Sequence, residues 1–237
     1  GCKLISVGVE SGDKQILHKI KKPLTIPGLY KKMEMMDKYP EIYIKGNFIV
    51  EFPFENYEQL QNTYKVASEI DFDWIVLSIY SPLIGTEAIG YMDNATQDEI
   101  RYNESNYGTV DFIPDGFKSI NDFNNDVYVR NLKYNFIENP NFLGKKGGHK
   151  RAVKDFKRIL EQTDTEHAVA MYCLSKLGNE IGEKQAKDYY DRSLKIIKNS
   201  EKWKFFFDKL GIISSTTGDF VFPEFRSGRE LDGERLT

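Results

Sequence analysis

Through about residue 90 the chain alternates short apolar runs with longer stretches whose apolar residues recur every three to four positions. Leu4-Ile5-Ser6-Val7-Gly8-Val9 reads as a strand, ended by the polar Glu10-Ser11-Gly12-Asp13. A helix is predicted from about Ile26, because Leu29, Met33 and Met36 fall on one face at i, i+4 and i+7. Thr25 can cap that helix, Pro27 suits a first turn where a missing N–H costs nothing, and Pro40 closes it. Ile42 to Val50 form a second strand, stopped at Pro53. Asn56 can cap a further helix with the stripe Tyr57, Leu60, Tyr64 and Ala67, and Asp73 to Tyr80 form a third strand, stopped at Pro82.

Strands apolar on both faces, separated by helices, predict a parallel sheet covered by helices. Three such repeats make part of a barrel or part of an open doubly wound sheet. In both, polar residues just past the strand C-termini are where ligands bind. Those positions are Glu10, Ser11, Glu51, Glu55, Ser81 and Pro82. Half a barrel leaves open sheet edges that something must complete. Residues 93–149 are rich in Asn, Asp, Tyr and Phe with little periodicity, and read as an irregular extension over the barrel with one helix near 120–137. Lys145-Lys146-Gly147-Gly148 reads as a flexible linker. Residues 150–211 read as a helical domain, with Phe156, Leu160, Tyr172, Ile197 and Trp203 among its apolar positions, and 212–237 as a polar, frayed tail.

Composition adds exclusions. The 237 residues correspond to one or two domains. With 40% hydrophobic and 29% charged residues, the chain is neither collagenous nor wholly disordered. A net charge of −3, from 33 basic and 36 acidic residues, argues against a coat for nucleic acid, and no nucleic-acid partner is expected. The 14 bases and 10 acids of residues 150–210 make that stretch mildly basic, as expected of a solvated face. Cys2 and Cys173 are the only cysteines and there are three histidines, so neither a disulfide framework nor a soft-metal site is expected from this chain. No apolar run approaches the ~18 residues of a membrane span, and no signal peptide is visible, so a cytoplasmic location is expected by default. The start at Gly1, inside what reads as a buried strand, suggests a truncated product. No P-loop, Gly-x-Gly-x-x-Gly or Gly-x-Ser-x-Gly motif is present, which leaves nucleotide-loop and hydrolase readings without support.

Three signatures stand at predicted strand ends: GVESG (8–12), NFIVEFPFEN (47–56) and SPLIGTE (81–87). In this order they resemble the second half of the radical S-adenosylmethionine (SAM) barrel, in the group whose members often carry an N-terminal cobalamin-binding domain. That group reads roughly GVESGS, IKKG-T, KGNFIVGLPGET and SxxxPLPGT, where this chain has GVESGD, IKKPLT, KGNFIVEFPFEN and SIYSPLIGTE. The resemblance covers residues 4–87. It implies an α/β fold: a partial (half) TIM-type barrel of parallel strands, followed by an α-helical C-terminal domain and completed by a missing N-terminal half.

The resemblance also implies roles. Glu10 and Ser11 match the motif that approaches the ribose or amino group of SAM, where a carboxylate can accept from hydroxyls or an ammonium; the bland alternative is a polar turn. Lys22 falls where relatives often place an Arg on the methionine carboxylate, although a lysine is a point charge rather than a planar fork. Its alternative is a solvated member of the Lys19-Lys21-Lys22 cluster. Ile49 would support the adenine, and is otherwise core. Ser78 to Pro82 would read the adenine edge through the backbone, with Gly85 shaping the loop, and Glu55 would serve a turn or a ligand. Glu51 and Phe54 replace two glycines, and could crowd or remodel the SAM pocket; Pro23 and Ile84 replace a further Gly and Pro.

The CxxxCxxC loop that ligates the [4Fe–4S] cluster is missing. Cys2, at the N-terminal end of its strand, is expected to be a buried small hydrophobe. The function implied is the C-terminal portion of an enzyme that cleaves SAM reductively, with cobalamin possible and a small-molecule or lipid- or sugar-type substrate. The alternative is a non-catalytic degenerate barrel and helical module that binds a partner protein or a nucleotide.

Overall fold

In a computed structural model, which describes residues 1–92, 97, 98, 100–103, 108, 109 and 113–212, the first ninety residues build one parallel sheet. Its strands are β1 (Leu4–Glu10), β2 (Tyr43–Val50) and β3 (Trp74–Ile79), in the order β1-β2-β3. Helices α1 (Lys14–Lys19) and α2 (Ile26–Met36) cross from β1 to β2, and α3 (Tyr57–Glu69) crosses from β2 to β3. The predicted caps are in place. Thr25 accepts from Gly28 N, and Asn56 forms a reciprocal capping box with Gln59. Helix α1 was not expected; Asp13 caps it by accepting from Gln15 N and Ile16 N.

The strands are not apolar on both faces, which corrects the expectation. Ile44, Phe48, Val50, Ile75 and Leu77 are buried on the face that packs against Leu29, Met33, Leu60 and Tyr64. The register places Ser6 beside Lys45 and Asn47 beside Val76 on the other face, which also carries Ser78. Burial alternates strictly along β2, because successive side chains point to opposite sides.

Helix α4 (Ile120–Leu132) continues through a π turn (Lys133–Ile137) along the outer edge of β3. Three asparagines there stand in for a fourth strand. Asn131 accepts from Leu77 N (3.0 Å) and donates to Leu77 O (3.1 Å). Asn135 does the same to Ile75, at 2.7 Å in both directions. Asn139 donates to Asp73 O at 2.9 Å. A side-chain amide carries the same donor and acceptor as a peptide group. Two strand residues rise ~6.6 Å and four helical residues ~6 Å, so asparagines at i, i+4 and i+8 keep step with alternate strand residues. Four residues overshoot one α-helical turn by ~40°. The wider i→i+5 winding of the π turn, seen in Glu138 N to Lys133 O, offsets this drift.

The chain goes on to α5 (Gly148–Gln162), α6 (Ala168–Ser175), α7 (Gly178–Ile181), α8 (Glu183–Asn199) and α9 (Glu201–Lys209). Residues Ala168 to Leu174 of α6 are buried throughout, among Phe136, Phe142, Phe156, Trp203 and Phe207. Asp73, fully buried, fastens this helical part to the sheet. Its Oδ2 accepts from Ile44 N (2.8 Å), and its Oδ1 accepts from Asn141 Nδ2 (2.9 Å) and Arg151 Nη1 (2.7 Å). Lys146 Nζ stands 3.5 Å from its Oδ2 and also donates to Asp71 O. The Lys145–Gly148 stretch is therefore not a loose linker: Lys146 is bound at Asp73, and Gly147 N donates to Asn141 Oδ1.

Cys2 is exposed rather than buried, while Cys173 is the buried thiol. Among the described residues no helix is long and apolar enough to cross a membrane. Most of the expected irregular extension between residues 93 and 112, and the tail from 213 on, lie outside the described residues.

A candidate ligand rim at the strand C-termini

The C-terminal ends of β1, β2 and β3 share one rim, and most of the residues anticipated for ligand contact are found there. The β1–β2 register slips between Gly8 and Glu10, where Glu10 takes φ 68°. Such a bulge re-aims a side chain. The Glu10 carboxylate accepts from Lys22 Nζ at 3.1 Å, with both side chains partly buried. A Cβ on Gly8 would stand 2.5 Å from Glu10 Oε1 and 3.1 Å from Lys22 Nζ, so glycine is what lets this pair lie close over β1. The three neighbouring lysines have separate partners. Lys21 reaches the exposed Glu87 at 2.8 Å, and Lys19 lies over the rings of Phe54 (4.0 Å) and Tyr91 (4.2 Å).

Ser11 is fully buried. Its Oγ lies 3.0 Å from Thr63 Oγ1 and accepts from Asp13 N, while Gly12 N donates to Thr63 Oγ1. Asp13 in turn accepts from Asn62 of α3 at 3.0 Å. These bonds lock the loop after β1 onto α3, and with it the position of Glu10. Ile49 and Ser78 are direct register partners, Ile49 half-buried and Ser78 exposed. Pro82 is buried in the loop beyond β3. Glu10, Lys22, Ile49 and Ser78 thus line the accessible side of the rim, and Ser11, Glu51 and Pro82 lie within its frame.

Glu51 sits in the left-handed region usually left to glycine, with φ 70°, at about 1–2 kcal/mol for a residue with a Cβ. It is 5% exposed, and with Glu55 it borders a void of ≈ 10 Å³. Glu55 holds this turn by accepting from Glu51 N at 2.7 Å. Burial pushes the Glu55 carboxyl up to about 7, against the lowering effect of the Glu51 and Phe52 N–H groups. A carboxyl with a raised folded pKa binds its proton more tightly when folded, so the fold loses stability as pH rises from about 4.5 to about 7. Glu55→Gln keeps an acceptor without a charge. Its stability relative to wild type is expected to climb across that window and level off above it, in urea melts at several pH values; a constant difference would refute this assignment.

Phe54, the second glycine replacement, stacks on Phe52 (5.6 Å, 16°) and meets Tyr91 edge-on at 4.9 Å, while Tyr80 lies 5.5 Å from Phe52. Together they wall a cavity of ≈ 270 Å³ that also touches Ser81 and Thr86. This aromatic wall was not anticipated. Neither was the polar character of the sheet face turned away from α2 and α3, where Asn47 Nδ2 donates to Ser6 Oγ at 2.7 Å. Its signal was present in the alternation Ile44-Lys45-Gly46-Asn47-Phe48.

Two cofactors can be tested against these residues. The cluster does not fit: Cys173 is enclosed with its thiol pushed up by burial, and Cys2 stands at the opposite end of β1 from the rim. Among the described residues no three His, Cys, Asp or Glu side chains are grouped to hold a metal. SAM does fit the donor set, since its amino-acid end carries an ammonium and a carboxylate, the complements of Glu10 and Lys22.

No protein-family profile matches the chain. Curated tRNA-2-methylthio-N(6)-dimethylallyladenosine synthases do. That of Photobacterium profundum is 37% identical over 84 residues, 35% of this chain and 18% of the relative. That of a Sulfurihydrogenibium species is 33% identical over 88 residues, 37% and 20% of the two chains. That of Protochlamydia amoebophila is 28% identical over 98 residues, 41% and 22%. These relatives are radical SAM enzymes, and they match about 40% of this chain at low identity. The match spans about a fifth of the length of each relative.

Proposed function

We propose that residues 1–92 form the SAM-holding second half of a radical SAM barrel, operating with a segment that supplies the cluster cysteines. The observation that carries this reading is the Glu10–Lys22 pair at the bulged end of β1. A carboxylate and an ammonium 3.1 Å apart are complementary to an α-amino acid zwitterion, whose ammonium would meet Glu10 and whose carboxylate would meet Lys22. Ser11 and Thr63 fix the loop that carries Glu10, and Ile49 offers apolar surface beside Ser78. The chemistry SAM supplies on reductive cleavage is a carbon radical; the chain's own part is to hold, orient and exclude water. Cobalamin forms no part of this proposal.

The names of the relatives concern an adenosine of tRNA, and we extend that substrate class to this chain in place of the lipid- or sugar-type one. Phe54 and Tyr91, with Lys19 between them, give the rim a surface on which a base can stack beside a cation. The near-neutral charge balance suits one local contact with RNA rather than a coat along it. A cytoplasmic setting fits such a substrate.

Calorimetric titration tests the central claim. SAM is expected to bind saturably, and Glu10→Ala to weaken it by about 10- to 100-fold, the value of a charge-assisted bond. 5′-Methylthioadenosine, which lacks the zwitterion, is expected to bind both forms equally. Equal losses for the two ligands, or no binding of SAM, would overturn the assignment and favour the non-catalytic module.

A further inference from the structure

The sheet face turned away from α2 and α3 carries a second concavity at the opposite, N-terminal end of the strands, with a volume of ≈ 570 Å³. Six strand residues at ~3.3 Å each put it ~20 Å from the Glu10 rim. Lys45 enters it from β2, Lys3 from the segment before β1, and Lys154 and Arg158 from one face of α5, at i and i+4. Among the described residues none of these four cations makes a salt bridge. The Arg158 guanidinium is held by donating to Gln162 Oε1 at 3.1 Å. One carboxylate, Asp155, opposes them, and it is bonded to the Tyr43 hydroxyl. Trp74 adds an aromatic side, with its ring fixed edge-on against Phe136 at 5.6 Å.

Four cations against one carboxylate leave a local charge near +3, in a chain whose net charge is −3. Concentrated in a concave site, that charge focuses a field on an anion of matching size. The cations approach from the sheet, from a helix and from the N-terminal segment, which suits tetrahedral oxygens better than a planar carboxylate. The volume lies in the range of small-ligand pockets. We propose that this cavity binds a small ligand carrying two or more phosphate groups.

The test is titration calorimetry of the full chain with inorganic pyrophosphate, and in a second arm with ATP. Pyrophosphate is expected to bind saturably and to weaken as salt is raised. The double variant Lys45→Ala/Arg158→Ala is expected to bind at least about tenfold more weakly. Asp155→Asn, which removes the opposing charge but keeps an acceptor for Tyr43, is expected to bind several-fold more tightly. Circular dichroism melts establish that each variant is folded, and Lys204→Ala serves as a basic-to-neutral control outside the cavity. ATP tighter than pyrophosphate assigns a nucleoside polyphosphate, with the base against Trp74; equal affinities assign the phosphates alone. Absence of saturable binding overturns the proposal, as does an unchanged affinity in the double variant or a weaker one in Asp155→Asn. SAM binding at the far rim is independent of either result.

Discussion

Asp73→Ala is expected to lower the unfolding free energy by about 3–5 kcal/mol, measured by denaturant titration. The carboxylate is fully buried and receives Ile44 N, Asn141 and Arg151 at 2.7–2.9 Å, with Lys146 at 3.5 Å. Removing it strands the Lys146 ammonium, whose side chain is 6% exposed, and the Arg151 guanidinium, whose side chain is 18% exposed. The large effect comes from those uncompensated charges rather than from the loss of contacts. Combining Asp73→Ala with Arg151→Met removes one of them, so the double variant is expected to recover part of the loss. If Asp73→Ala changes stability by less than about 1 kcal/mol, the proposed junction between sheet and helices is wrong.

The second large effect concerns the edge of β3. Replacing Asn131 and Asn135 together by leucine keeps the branched side-chain shape but leaves the N–H and C=O of Ile75 and Leu77 without partners on that side. A buried unsatisfied polar group costs about 1–3 kcal/mol, so a loss of several kcal/mol is expected. An unpaired strand edge also recruits other chains. Light scattering on warming should therefore rise at a lower temperature than in wild type, with concentration-dependent onset. A variant that remained monomeric and melted like the parent would show that the asparagines are incidental.

The chain's local chemistry made much of the sheet legible. Thr25 and Asn56 are side-chain caps that act within one helical turn, Pro27 suits the first turn beyond Thr25, and both helices begin where these residues indicate. Helix α1 escaped because its six residues span too few turns for a period to emerge, although Asp13 and the buried Ile16 and Leu17 carried its signal. The π turn and its asparagines escaped for a different reason. Polar residues at helical spacing ordinarily mark a solvated face, and only the neighbouring strand turns Asn131, Asn135 and Asn139 into partners. At the rim, Glu10 and Lys22 were singled out separately, yet their pairing depends on a bulge that no pattern of residue types reveals. Ser11 was expected to face a ligand, whereas its bond to Thr63, 52 residues away, needs the tertiary fold.

The asparagine ladder also has a timetable. Asn135 lies 60 residues beyond its partner Ile75, so a ribosome must make all of that intervening chain before the edge can be covered. At ~5–20 residues per second this takes roughly 3–12 seconds. During that interval the newly made sheet presents a bare hydrogen-bonding edge to whatever surrounds it. Production of this protein should therefore respond to holding chaperones and to translation speed between codons 80 and 139 far more than the stability of its finished fold would suggest.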